Sequence, residues 1–151
     1  METTVGLVHR LRYHSNGQKH AEEWFCNNIL HRVDGPATQY WFDSGQLFAE
    51  IWYLNGETHR VNGPSNQEWV RNGHKKYEEW RVNNNFHRVT GPARIKWDIN
   101  GKVEYEFWFL KGRKLSVDQS REYKNWLSDN NMLCKDNLTD EEKVLLKLRW
   151  L

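Results

Sequence analysis

Residues 48–73 read FAEIWYLNGETHRVNGPSNQEWVRNG, and nearly every landmark in that stretch returns at a fixed step. Trp52 has counterparts in Trp24, Trp80 and Trp108, each 28 residues apart. Trp69 belongs with Tyr13, Trp41 and Trp97, and Glu50 with Glu22, Glu78 and Glu106. His59-Arg60 repeats as His31-Arg32 and His87-Arg88, and each pair is followed by Gly-Pro: Gly35-Pro36, Gly63-Pro64 and Gly91-Pro92. Those are the only 3 prolines, and of the 10 glycines only Gly6 falls off the grid. Self-similarity at such a step marks a repeat architecture, so the fold is read unit by unit.

Each unit carries two strand-like stretches around a glycine turn. ATQYWFDSG, SNQEWVRNG and ARIKWDING lead into the turn, and HAEEWFC, FAEIWYL, KYEEWRV and EYEFWFL follow it. Aromatic and β-branched residues favour strand, and Ser-Gly or Asn-Gly between two such runs signals a hairpin. Proline stands only where a strand begins, the place where its missing N–H does least harm. Alternation along a strand then sorts the faces. Glu and Trp of each unit share one face with Cys26, Leu54, Val82 and Leu110, so Cys26 reads as a small apolar filler. Three full units run from about residue 27 to 110, with a partial unit before them and a decayed one after, in which Leu115-Ser116 replaces His-Arg. The expectation is a mainly β fold: an elongated antiparallel β-meander of repeat hairpins over residues 1–115, closed by a helical tail over 116–151.

The tail changes character. Ser116 with Gln119 forms a capping-box pattern, and Thr139-Asp140-Glu141-Glu142 opens a second helix. Val144, Leu148 and Leu151 share one face of it, with Leu145 beside them. The last strand pair is apolar on its second face as well, at Phe107 and Phe109, which predicts that the tail caps the open end of the sheet there.

Composition limits the functions. The chain has 151 residues, 22 Lys+Arg against 20 Asp+Glu, and 9 Trp, 6 Tyr and 6 Phe. A net charge of +2 argues against a coat for nucleic acid, and the aromatics argue against a disordered segment. There is no long apolar run and no apolar leader at the start, so an intracellular protein is expected. Cys26 and Cys134 make neither a disulfide framework nor a metal knuckle.

The unit Tyr77-Glu78-Glu79-Trp80 with Asn83 and His87 resembles the MORN repeat, as do Glu50-Ile51-Trp52 with Asn55-Gly56 and His59. Glu22-Glu23-Trp24 and Glu106-Phe107-Trp108 with Gly112 extend the match over about residues 12 to 115. The form with His-Arg-x-x-Gly-Pro is similar to the longer variant found in bacteria and in large DNA viruses such as marseilleviruses. It departs from the ordinary repeat in its length, in Arg-Val-x-Gly-Pro after the histidine, and in Asn84 where one turn glycine would stand. The resemblance implies stacked hairpins that act through surfaces, with no catalytic residue to carry over. It also implies a viral protein that meets a host component, in the cytoplasm or nucleus of the host, or that is packaged in the virion.

The recurring polar residues are expected to be structural. Successive histidines at His31, His59 and His87 lie a hairpin apart, about 10 Å, too far to share a metal ion. Arg32, Arg60 and Arg88 are expected to stack on the repeat tryptophans and meet the repeat glutamates, and the glycines before proline to supply a special backbone conformation. Most of the Trp24, Trp52, Trp80, Trp108 and Trp41, Trp69, Trp97 side chains are expected to form a thin core. Partner-binding candidates are the positions that break the repeat: Phe42, Phe48, Tyr53, Arg71, His74, Lys75, Lys76 and Arg81. No GxSxG, P-loop or HExxH motif is present, so no enzyme, cofactor, metal or small-molecule substrate is expected. The function expected is a scaffold that binds a protein partner or itself as a homo-oligomer. Nucleic acid is the weaker alternative, and a membrane weaker still.

Overall fold

The computed structural model describes residues 6–135 and 137–151. Residues 1–5, read above as the start of the array, lie outside the described residues. The molecule is an antiparallel sheet of hairpins followed by two helices. Its main sheet holds β1 (Leu7–Tyr13), β2 (Lys19–Cys26), β3 (Ile29–Leu30), β4 (Thr38–Trp41) and β5 (Leu47–Ile51). Small two-stranded sheets pair β6 (Tyr53–Leu54) with β7 (Glu57–Thr58), β10 (Arg81–Val82) with β11 (Asn85–Phe86), and β14 (Phe109–Leu110) with β15 (Arg113–Lys114). Between them β8 (Asn66–Trp69), β9 (Lys75–Glu79), β12 (Arg94–Trp97) and β13 (Val103–Phe107) complete the main sheet. The helices are α1 (Val117–Asp129) and α2 (Asp140–Arg149).

The main sheet runs β1-β2-β4-β5-β8-β9-β12-β13, with β3 beside β2, and no ladder joins its ends among the described residues. Each long turn follows from its glycine. Phe42 N–H bonds to Gln46 O and Gly45 N–H to Phe42 O, Gly45 has φ +83°, and the ladder slips by one residue at Trp41. That is a type I turn closed by a glycine bulge, the usual three-residue hairpin. Asn55 and Gly56 both have positive φ, as the two-residue turn of a tight hairpin requires, and Asn83-Asn84 adopts the same pair of angles without glycine.

The second strand of each unit is shorter than its sequence suggests. FAEIWYL and its two successors stop pairing in the main sheet at Trp52, Trp80 and Trp108, where strand assignment lapses. The tryptophan backbone is engaged differently: Trp52 N–H bonds to Ser65 O and Trp80 N–H to Ala93 O. The Trp52 and Trp80 carbonyls accept from His59 and His87. The chain then bends into the small hairpin. Only β2 runs through its tryptophan, because β1 lies alongside and pairs His9 with Trp24.

The tail follows its capping boxes: Ser116 and Thr139 are the N-caps, answered by Gln119 and Glu142. Its packing corrects two expectations. The helices bury Trp108 and Leu110, not Phe107 and Phe109; Phe109 stacks on Phe86, and Lys114 stands over Phe107. On α2 it is Leu146 that is buried, while Val144, Leu145, Leu148 and Leu151 face solvent. A cluster of buried apolar side chains therefore forms at this end, where Tyr123, Leu127, Met132 and Leu146 meet Trp108, Leu110 and Leu115.

Candidate interaction surface

One line of paired residues crosses the sheet. Glu22 faces Gln39, Gln39 faces Glu50, Glu50 faces Gln67, Gln67 faces Glu78, and Ile95 lies between Glu78 and Glu106. Carboxylates in adjacent strands would stand about 5 Å apart and repel, so an amide or apolar residue between each pair relieves the line. In the amide orientation that satisfies both neighbours, Gln67 donates to Glu50 Oε1 at 3.1 Å and accepts from Lys75 Nζ at 2.9 Å. Lys75 also pairs with Glu78 at 2.7 Å, as Lys19 does with Glu22 at 2.8 Å. The hydrogen bond from Lys19 pulls the Glu22 carboxyl below its ordinary value.

Arginine and tryptophan stack as expected. The guanidinium carbons of Arg32, Arg60 and Arg88 lie 4.6, 4.0 and 3.9 Å from the ring centres of Trp24, Trp52 and Trp80. Each guanidinium also donates to the carbonyl of the following proline, Pro36, Pro64 or Pro92. The carboxylate differs from unit to unit. Arg88 reaches Glu78 at 3.6 Å, Arg32 takes Asp34 at 3.0 Å instead, and burial lowers the Arg60 pKa against the pull of Glu50. The glycines before proline are explained by space rather than by backbone angle. A Cβ at Gly35, Gly63 or Gly91 would sit 2.8, 2.7 or 2.9 Å from the Cζ of Arg32, Arg60 or Arg88, and only Gly63 also has a positive φ, +145°.

The histidines tie one unit to the next. Nδ1 of His31, His59 and His87 accepts the backbone N–H of Asn55, Asn83 and Lys111, at 3.0, 3.3 and 3.1 Å. An accepting Nδ1 carries no proton, so the bonds at His31 and His87 need the neutral ring, whereas Nδ1 of His59 also lies 2.6 Å from Asn83 Oδ1, an acceptor that calls for a proton on the ring nitrogen. Burial, helped by Lys111, lowers the pKa of His87 and favours that form.

The tryptophans are not a uniform core. Trp108 is 3% exposed, but Trp24, Trp52, Trp80, Trp41, Trp69 and Trp97 are only half-buried. The fully enclosed residues in the middle of the sheet are small, such as Ala21, Ala49 and Ala93. The difference follows from cover. Beside Trp52 and Leu54 lies an open groove of about 420 Å³, flanked by Arg32 and Val33 on one side and by Arg60 and Val61 on the other. One unit on, Trp80, Val82, Arg88 and Val89 line a groove of about 430 Å³ with Val61, and the tail residues Lys135, Leu138 and Lys143 form part of its wall. One unit further the corresponding residues are Val89, Trp108, Leu110 and Leu115, and there the tail lies in place. Tyr123 donates to Val89 O at 2.6 Å, and Thr90 donates to Lys135 O at 2.7 Å. Val33 and Val61, at 78% and 69%, are among the most exposed apolar residues.

The positions that break the repeat do not converge. Phe42 and Phe48 touch near a long turn, where Arg71 lies over Phe42 and pairs with Asp43, whose carboxyl it holds below the ordinary range. His74 is exposed at the next turn, its backbone held by Asn72. Lys75 and Lys76 point to opposite faces, to Glu78 and Glu68. Arg81 joins Arg94 on the buried carboxylate of Glu79, which Tyr77 also contacts. Tyr53 is half-buried, and desolvation raises its pKa. The groove residues Val33 and Val61 were readable as an apolar position on the grid inside a polar loop. Among the described residues no three His, Cys, Asp or Glu side chains gather as metal ligands, and no helix is long and apolar enough to cross a membrane. Comparison of the chain with protein-family models, with curated proteins and with solved structures returns no match.

Proposed function

We propose that this protein is a non-enzymatic interaction module, a MORN-like array of stacked hairpins that takes a segment of protein into its open aromatic grooves. One observation carries the reading: the row that the tail covers at Trp108 and Leu110 continues uncovered at Trp52 with Leu54 and at Trp80 with Val82. Half-buried Trp and Leu beside exposed Val, rimmed by Arg, is the composition of a recognition site rather than of a solvated face. The marseillevirus-like form of the repeat makes a component of an infected cell the first partner to seek, with a virion role next.

Nucleic acid fits this surface less well. Stacking on bases needs free indole faces, and Arg32, Arg60 and Arg88 already occupy one face each of Trp24, Trp52 and Trp80. A membrane fits poorly too, since α2 is 10 residues long and opens with Asp140, Glu141 and Glu142.

The test is capture of partners from host lysate by the full chain and by V61E, with and without nuclease. Val61 is exposed, so the variant keeps the fold. A protein that survives nuclease and is lost with V61E is the expected result. Capture unaffected by V61E, or abolished by nuclease, overturns the reading.

A further inference from the structure

We infer that the protein self-associates by placing the solvent-facing stripe of α2 of one copy into the Val33–Val61 groove of a second copy, reciprocally about a two-fold axis. The inference rests on the reading of the grooves as recognition sites and names a second copy as the occupant.

Three observations lead to this occupant. The first is that the chain already shows what the row receives. At Trp108 and Leu110 it receives helical side chains, Tyr123 and Leu127 of α1 and Leu146 of α2. The groove at Trp52 and Leu54 is the same arrangement two units earlier, with nothing over it.

The second is that an apolar helical stripe of the same kind is left over. Val144, Leu145 and Leu148 lie on the side of α2 away from Leu146, exposed Leu151 follows the helix, and Leu148 is 80% exposed. Residues at these spacings form one continuous strip along a helix. The charges match as well. Glu141 begins the stripe with no ion pair among the described residues, and Arg60 rims the groove with its guanidinium on Trp52 and no carboxylate within pairing distance among the described residues. An acidic first turn would meet a basic rim.

The third is placement. Lys143 of α2 lines the middle groove, and that groove shares Val61 with the open one. α2 and the open groove are therefore near neighbours, with the middle groove between them. A two-fold axis passing over the middle groove sets the stripe of each copy above the open groove of the other, so both contacts form at once. Such an isologous pairing is the commonest way a chain closes on itself.

The experiment is light scattering and sedimentation on the full chain across a wide concentration range, for the wild type, L148E, V61K and the double variant L148E/V61K. Both sites are exposed, and circular dichroism is the check that each variant folds. The expected result is a concentration-dependent dimer in the wild type. Each single variant should weaken it at least tenfold. The double variant should recover most of the loss, because the carboxylate introduced on α2 of one copy then faces the ammonium introduced in the groove of the other. A wild type that stays monomeric at millimolar concentration overturns the inference. So does a dimer that either single variant leaves intact, or one that the double variant fails to recover. The groove reading is judged separately. If V61E loses a captured protein while the wild type is monomeric, the groove is a recognition site for another protein and only the self-docking falls.

Discussion

Replacing Gly91 by alanine tests whether the Arg–Gly–Pro element exists for space. The new Cβ would stand 2.9 Å from Cζ of Arg88, inside the closest approach that real Cβ atoms make. The guanidinium cannot simply retreat, since Trp80 lies behind it with the ring centre 3.9 Å away and Pro92 O accepts its hydrogen bond at 3.3 Å. Displacing it forfeits a cation–π contact of about 0.5–2 kcal/mol and a charge-assisted hydrogen bond of about 1.5 kcal/mol, so G91A should cost about 2–3.5 kcal/mol. The check is urea denaturation of G91A, R88A and the pair. With the guanidinium gone, the three atoms nearest the new Cβ go with it and the φ is one alanine can adopt, so the cost of the alanine should vanish or turn into a gain of about 0.5 kcal/mol. Gly63 provides the internal control, because its φ of +145° adds a backbone penalty of about 1–2 kcal/mol that deleting Arg60 cannot relieve. Strictly additive costs for G91A and R88A would refute the spatial account and return these glycines to a backbone role.

Three more expectations follow from the site. The folded-state pKa of His87 lies below the ordinary histidine value, so the folded protein binds fewer protons than the unfolded one, and this part of its stability is present above about pH 6.5 and lost as pH falls through the folded value; H87Q should flatten that slope in denaturation midpoints measured between about pH 7 and 5. Gln67→Glu would set a third carboxylate between Glu50 and Glu78, costing about 1–3 kcal/mol near neutral pH, with the loss shrinking as the carboxyls protonate below about pH 4.5; a variant as stable as wild type at pH 7 would show that the amide does not separate the charges. Tyr123→Phe removes the donor to Val89 O and should cost about 1–2 kcal/mol, seen as faster proteolysis of the tail at an unchanged rate of cleavage in the turns before Gly45 and Gly73.

The sequence was most legible where one residue decides one piece of backbone. The glycines at 17, 45, 73 and 101 placed the long turns, and Ser116 and Thr139 placed both helix starts, because turns and caps are settled within a few residues. The Arg–Trp stacks were legible too, since their partners recur in step. The break at Trp52 was not, because IWYL has the propensities of an unbroken strand. What ends the pairing is the turn hydrogen bonding of His59 and Ser65, residues that come from the following loop. The buried side of α2 was misread for a related reason. Helical spacing groups Val144, Leu148 and Leu151, but which side of the helix faces inward depends on Tyr123 and Met132, far away in the chain.

Burial of the tryptophans shows most clearly what a repeat hides from its own sequence. Trp52, Trp80 and Trp108 stand at equivalent positions, two of them are only half-buried, and the third is 3% exposed. The difference is made by Tyr123 and Leu127, which reach only the last, and by Leu115, which stands where His59 and His87 stand in the earlier units. The same comparison bears on what the open positions would accept. Where the tail covers Trp108, Tyr123 meets the indole edge to face, with ring centres 5.9 Å apart, and Leu110 and Val89 form the sides. An occupant of the earlier grooves would likewise meet the indole alongside Leu54 and Val61, since Arg60 keeps one face of Trp52. That geometry suits aliphatic and aromatic side chains arriving from a helix and leaves no slot for a flat base between two indoles.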